Sequence, residues 1–264
     1  MTYLITTFYQ FLNLTALEDK RDRWQNWGRA KNLRGTILLA PEGINATIAG
    51  AQEAVSGLIE EIKTELELAH LSVRHSSSEL LPFGKFKVRL KKEIVTLGRP
   101  DINPQQGVGI YVTPQQWQEL LQDPQVMVID TRNHYEVAIG TFRGAIDPHT
   151  SCFREFPDYL NRHLTPQTHR RVALFCTGGI RCEKATALMV QSGFDQVYHL
   201  QGGILNYLAT TPPQESLWQG ECFVFDDRVA LQTGLAVGNY HLCSSCGYPL
   251  AQEPTCPQCF SPPA

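Results

Sequence analysis

LFCTGGIRCEKATALMVQSG, residues 174–193, joins an apolar run to a cysteine, two glycines and an arginine, and then passes into a helical pattern closed by Gly193. It reads as strand, tight turn and helix. The flanking segments repeat the rhythm: QQWQELLQ is a short helix, VMVID a buried strand and QVYHL another. Short β-rich apolar runs alternating with helices imply a parallel sheet covered on both faces. The functional loops of such sheets lie beyond the carboxyl ends of the strands, and Cys176 stands there, directly after VALF.

A cysteine at that position sits among inward-aimed backbone N–H groups and at the positive end of a helix dipole, and both favour its thiolate. Gly178 and Gly179 supply the backbone freedom to point several amides at one anion, Thr177 and Ile180 complete the turn, and Arg181 can close the ring with a guanidinium. The pattern is that of an anion cradle around a nucleophile. A small buried cysteine at a strand end explains neither the glycines nor the arginine. Asp130 and Arg132 follow the strand VMVID and so emerge at the same edge, and Glu136 is expected to pair with a basic partner. For these three the rival reading is a structural ion-pair set that fixes loops. Cys182 can resolve a sulfur species on Cys176 or pack in the core at the helix start.

The N-terminal part has a different texture. Residues 3 to 12 are strand-like, and 16 to 33 are helical with Leu17, Trp24, Trp27 and Leu33 on one stripe. GTILLAPEGINATIAG gives two strands around a Pro-Glu-Gly turn, a second helix covers about 51 to 66, and strand-like segments occupy about 71 to 77 and 85 to 97. The order βαββαβ suggests a ferredoxin-like, acylphosphatase-like α+β domain. GRPDINPQQGVG then reads as a linker. The expected division is 1–97, a linker over 98–108, an α/β domain over 109–212 and a cysteine-rich tail over 213–264.

With 264 residues and a net charge of −3, the chain has room for about two domains and lacks a uniformly basic surface, so any nucleic acid must be held by a local patch. No basic leader opens it, and no uncharged apolar run approaches the roughly 20 residues that span a bilayer. A cytoplasmic protein with no membrane partner is expected. Its eight cysteines then call for metal ligation, nucleophilic roles or burial rather than disulfides. Cys243-x2-Cys246 and Cys256-x2-Cys259 form two knuckles whose four thiolates fit a structural, tetrahedral zinc. No flavin or nicotinamide fingerprint and no two-histidine-plus-carboxylate pattern is evident.

These residues carry a resemblance. CTGGIR resembles the active-site loop of rhodanese-type sulfurtransferases, DTRNHYEVAIGTFRGA (130–145) resembles the upstream signature of that domain, and HLQGGILNYL (199–208) is similar to the strand and glycine turn that close it. The likeness implies a persulfide on Cys176 during turnover. Related phosphatase and arsenate reductase loops are longer than the six residues from Cys176 through Arg181, which favours sulfur over a tetrahedral oxyanion. Taken whole, with LLAPEGINATIAG, LKKEIVTLG, FREFPDYL and GECFVFDDRVAL, the chain resembles the tRNA uridine hydroxylase family of rhodanese-related proteins. That resemblance implies hydroxylation of the wobble uridine to 5-hydroxyuridine, with molecular oxygen as co-substrate, tRNA rather than DNA as partner, and an electron donor that the sequence does not specify. A tRNA substrate needs a basic surface, and KFKVRLKK (85–92) would put Lys85, Lys87, Arg89 and Lys91 on one strand face and Phe86, Val88 and Leu90 on the other. Its rival reading is an edge strand protected by lysines. The competing functions are a small-molecule or protein-persulfide sulfurtransferase and a non-catalytic tRNA- or partner-binding module.

Overall fold

Strand β1 (Tyr3–Phe11) opens the chain and is followed by α1 (Leu17–Ala30), β2 (Arg34–Ala40), β3 (Gly43–Gly50), α2 (Gln52–Glu65), β4 (Val73–Ser78) and β5 (Phe86–Leu90). The structure, a computed structural model, describes residues 2–251 and 255–260. The backbone separates into two units, Met1–Thr96 and Leu97–Ala264. In the first, the sheet order is β4-β1-β3-β2-β5. The neighbours among β1 to β4 are antiparallel, which is the ferredoxin-like arrangement, and β5 is added parallel to β2. Helix α2 places Val55, Leu58, Ile59 and Ile62 in the core at helical spacing, beside Trp24 of α1.

Strand β5 is shorter than the sequence suggests, ending at Leu90 rather than near residue 97, because its partner β2 ends at Ala40. Beyond that point side chains take over from the ladder: the Ile94 N–H donates to Glu42 Oε1 at 2.6 Å, and Asn45 Nδ2 donates to the Ile94 carbonyl at 3.0 Å. Burial within β5 alternates as expected, with Phe86 and Val88 inside and Lys85, Lys87, Arg89 and Lys91 exposed. Its free edge is met by Gln25 of α1, which donates to the Phe86 carbonyl at 3.0 Å and accepts from the Val88 N–H at 2.9 Å. The backbone edge is thus partly satisfied without the lysines, which leaves their outward charge unexplained by edge protection alone.

The second unit contains β6 (Ile110–Val112), α3 (Pro114–Gln122), β7 (Met127–Asp130), α4 (His134–Val137), β8 (Gly140–Phe142), α5 (Phe156–His163), β9 (Arg171–Phe175), α6 (Ile180–Gln191), β10 (Gln196–Leu200) and α7 (Gly203–Thr210). Its main sheet is parallel, in the order β6-β10-β9-β7. Helix α3 starts where the sequence dictates: Thr113 accepts from the Gln116 N–H, Gln116 returns its side chain to the Thr113 N–H, and Pro114 occupies the first turn. Val172, Ala173, Leu174 and Phe175 of β9 are all buried, as a strand between two parallel neighbours requires. After α7, β11 (Trp218–Gly220) pairs with β8, and β12 (Cys222–Phe223) and β13 (Ala230–Leu231) form a small hairpin. Finally β14 (His241–Leu242) pairs with β15 (Pro249–Leu250) next to the tail cysteines. Among the described residues, no helix is long and apolar enough to cross a membrane.

Candidate active site and metal-ligand cluster

Cys176 leaves the end of β9 and the chain turns at once into α6, with Gly179 as the residue before the helix. Gly179 has φ 104°, a left-handed conformation that a side chain would strain. Gly178 does not share it, so the turn rests on one glycine rather than two. The Gly179 N–H donates to Cys176 Sγ at 3.1 Å. The loop is held from behind by α7: the Ile204 N–H donates to the Cys176 carbonyl at 3.0 Å and the Leu205 N–H to the Thr177 carbonyl at 3.1 Å. Gly203, at φ 66°, lies so close to the carbonyls of Cys176 and Thr177 that a β-carbon there would collide with backbone. Above Gly178 the space is open.

Arg181 does not direct its fork at the sulfur. It forms a bidentate pair with Glu136 of α4, Nη1 to Oε2 at 2.6 Å and Nη2 to Oε1 at 2.8 Å, and Nη2 also donates to Thr177 Oγ1 at 3.2 Å. Both partners are buried, Glu136 completely. Burial opposes charge on Glu136, yet the Arg181 guanidinium, with help from Arg132 and the Asn133 N–H, outweighs it and holds the carboxyl below its ordinary range. Arg181 is correspondingly raised. Asp130 and Arg132 are also fully buried and do not present themselves at the loop's open side. Arg132 pairs with Asp130, Nη2 to Oδ2 at 2.6 Å, and donates to the carbonyls of Gly140 and Glu136, so the pair braces α4 and β8. That is loop fixing, and it secures the helix that carries Glu136.

Burial alone would raise the Cys176 pKa. The Cys182 thiol, the Arg181 charge and the N–H groups of Cys182 and Gly179 overcome it and bring the value down to about 6. Cys182 moves the other way, pushed up by burial and by the sulfur it donates to. The pair is thus driven apart, with ionisation favoured at Cys176 and opposed at Cys182. The ultraviolet absorbance of the thiolate, taken as wild type minus Cys176→Ser, should appear as pH rises through about 6. In Cys182→Ala, which lacks the thiol donor, the step should move upward. An unchanged midpoint would show that Cys182 does not tune the site.

Sequence reasoning thus brought Cys176, Thr177, Gly179, Arg181 and Glu136 to one place. It missed Phe225, whose ring is 64% exposed and lies 6.0 Å from the Arg181 guanidinium carbon, backed edge-on by Phe223 at 5.2 Å. The turn after Phe225 is fixed by Arg228 pairing with Asp226 at 2.6 Å. Only the motif FVFDDR hinted at it, and nothing local ties that turn to Cys176.

At the tail, Cys243, Cys246, Cys256 and Cys259 converge, with all four sulfurs within 4.8 Å of one another. Cys243 and Cys259 are 3.7 Å apart and Cys246 and Cys256 3.6 Å. Thiolates about 2.3 Å from a tetrahedral ion stand roughly 3.8 Å apart, so the cluster can hold a metal and is compatible with zinc. Gly247, at φ 75°, turns the first knuckle and donates its N–H to the Cys243 carbonyl.

Residues 3–94 match the family described as UPF0176 acylphosphatase like domain, and residues 113–210 match the Rhodanese-like domain family. Over 250 residues the chain is 57% identical to a tRNA uridine(34) hydroxylase of Synechocystis sp., covering 95% of this chain and 90% of the relative. The chain belongs to the tRNA uridine(34) hydroxylase family. Two further members, from Picosynechococcus sp. and Teredinibacter turnerae, are 50% and 48% identical, covering 95% and 98% of this chain and 84% of each relative. Among solved structures, a rhodanese-like domain from Anabaena sp. is 19% identical over 42% of this chain and 78% of that one, with a TM-score of 0.33. The match to the tRNA uridine(34) hydroxylase of Synechocystis sp. covers 95% of this chain, so the loop around Cys176 and the basic strand β5 lie in a chain matched across both units.

Proposed function

We propose that this chain hydroxylates uridine 34 of tRNA to 5-hydroxyuridine in the cytoplasm, with molecular oxygen as co-substrate and Cys176 as the reactive group. The observation that carries the proposal is a cysteine whose sulfur accepts the Gly179 N–H in a rhodanese-type loop that favours its thiolate, within a chain 57% identical to a tRNA uridine(34) hydroxylase. Uracil C5 is a weak nucleophile until a thiolate adds at C6, which places electron density on C5. Cys176 is ionised for that addition, the Cys182 thiol stands ready to exchange a proton, and the Gly179 N–H steadies the sulfur. Arg181, locked by Glu136, keeps a positive charge beside the loop. The exposed face of Phe225 offers a stacking surface for an unstacked base. Placing one atom of molecular oxygen at C5 and reducing the other to water consumes an electron pair, so the reaction requires a donor.

The organisation we propose is an acylphosphatase-like domain over 1–97, a linker over 98–108, a rhodanese-like domain over 109–212 and a zinc-bearing tail over 213–264. Lys85, Lys87, Arg89 and Lys91 would hold tRNA phosphates. The cleft of about 290 Å³ between Arg29, Arg34 and Lys85 adds two further cations on the same unit. Reversing the charge of Lys85, Lys87 and Arg89 should weaken tRNA binding and reduce its salt slope by about one for each phosphate no longer neutralised. An unchanged slope would return β5 to a solvated edge. In the tail, four thiolates close the tetrahedron, so zinc would be structural and leave no position for substrate. Protein purified without chelator should contain tail zinc that Cys256→Ser loses, with release of residues after about 240 to proteolysis. Full protease resistance without the metal would refute that role.

The deciding experiment incubates unmodified tRNA with the protein, a thiol reductant and isotopically labelled oxygen, followed by nucleoside analysis. Label in 5-hydroxyuridine at position 34 is expected. Sulfur transfer from thiosulfate to cyanide without any hydroxyuridine would instead establish the sulfurtransferase.

A further inference from the structure

Chain spacing reveals no pattern of two histidines and a carboxylate, yet the fold assembles one. His134, the first residue of α4, meets Asp147 and His149 from the segment between β8 and α5. The two segments are pinned together by the His134 N–H donating to the Thr150 carbonyl at 2.8 Å. Asp147 uses one oxygen, Oδ1, to accept the His149 N–H at 2.7 Å, and His149 takes a left-handed conformation at φ 56° that brings its ring back toward His134. Non-glycine residues adopt that conformation at a cost, and here it turns a second imidazole onto a carboxylate and a first imidazole.

The remaining Asp147 oxygen, Oδ2, lies 2.6 Å from His134 Nδ1 and 3.5 Å from His149 Nδ1, and the two ring nitrogens are 3.1 Å apart. Protons satisfy this triangle poorly. If His134 Nδ1 carries a proton toward Asp147, it has no lone pair left for His149; if both nitrogens carry protons, two N–H groups confront each other. A single cation in the middle serves all three atoms at once. Donors bound at about 2.0–2.2 Å in adjacent positions of a tetrahedron or octahedron lie roughly 2.8–3.6 Å apart, and two of the three separations already fall in that range. The short third separation would open slightly on binding.

We propose that His134, Asp147 and His149 form a second, open metal site on the rhodanese-like domain, for a divalent first-row transition metal. Two imidazoles and a carboxylate suit zinc, nickel or ferrous iron better than magnesium or calcium, which prefer all-oxygen shells. The site differs in kind from the tail. Four cysteines there leave no open position, whereas three ligands here leave room for water or an anionic oxygen of a ligand. The two imidazoles are accessible, His134 at 51% and His149 at 74%, over a half-buried Asp147, so metal can enter from solvent. His134 also shares its short helix with Glu136, the partner of Arg181, so a bound ion would stiffen the element that positions the Cys176 loop. This metal site stands independently of the hydroxylase reading.

The test titrates nickel into full-length, zinc-loaded, untagged protein by calorimetry. The protein is first loaded with a single equivalent of zinc, confirmed by metal analysis, which four thiolates take ahead of two imidazoles and a carboxylate, and one further equivalent, of nickel, should then bind at the histidine site. His149→Ala, at an exposed side chain, and Asp147→Asn, an isosteric change at a side chain that is 17% exposed, should keep the wild-type unfolding temperature and lose at least about tenfold in nickel affinity. Wild-type nickel binding retained in both variants, or no nickel equivalent in the wild type, would overturn the site whatever the outcome of the tRNA assay.

Discussion

Serine at position 176 should abolish 5-hydroxyuridine formation, by at least about 10³-fold, while leaving the fold and tRNA affinity close to wild type. The cause is electrostatic before it is chemical. The loop bends around Gly179, aims N–H groups at one atom and lies at the start of α6, and together these bring a thiol down to about 6. A hydroxyl, with a far higher intrinsic pKa, stays neutral in the same cradle, so it neither adds to a pyrimidine nor holds sulfur. The side chain changes little in size, and the Arg181–Glu136 pair that organises the loop does not depend on the sulfur charge. Nucleoside analysis of tRNA treated with each protein checks the expectation, with circular dichroism to confirm folding. Product at the wild-type rate from Cys176→Ser would remove this cysteine from the mechanism and leave the thiolate cradle without a task.

How much of this was legible in the chain follows from which interactions are local. The Cys176 loop could be read because strand end, turn and helix start lie within a few residues and each demands a particular residue type. The identity of Glu136's partner could not, because the 45 positions to Arg181 are closed only by the packing of α4 against the loop. Asp130 and Arg132 are expected at the active edge, and their sequence position does put them at the carboxyl end of β7, Asp130 as its last residue and Arg132 two residues on. The direction of their side chains, inward onto each other and the carbonyl of Gly140, depends on β8 returning beside them. Period-two alternation predicted which side of β5 carries charge but not where the strand stops, since termination is set by the end of β2. The histidine cluster was invisible for a related reason: the left-handed turn at His149 is written in no local motif.

The largest structural effect is expected at Glu136. In Glu136→Gln the bidentate carboxylate becomes a neutral amide whose single oxygen can answer only one side of the fork, and the Arg181 guanidinium stays buried without the carboxylate charge. Removing one member of a buried pair costs about 3–5 kcal/mol, because the other charge has already lost its water. Denaturant unfolding should show that loss at neutral pH. Its pH dependence has a definite sign. Burial raises the Glu136 pKa, and Arg181, Arg132 and the Asn133 N–H together lower it by more, so the folded value lies below the unfolded one. The stabilisation is therefore fully present above the ordinary carboxylate range and disappears as pH falls through the depressed folded value. Wild type and Glu136→Gln should converge in acid and diverge toward neutrality. Replacing both residues, as Glu136→Leu with Arg181→Met, should recover much of the loss by removing both buried charges, while leaving the enzyme inactive because the cation beside Cys176 is gone. If the double variant were as unstable as Glu136→Gln, the cost would lie in the packing and capping of α4, where Glu136 also accepts the Asn133 N–H, rather than in an orphaned charge. If it retained hydroxylation, Arg181 would have no part in keeping Cys176 ionised.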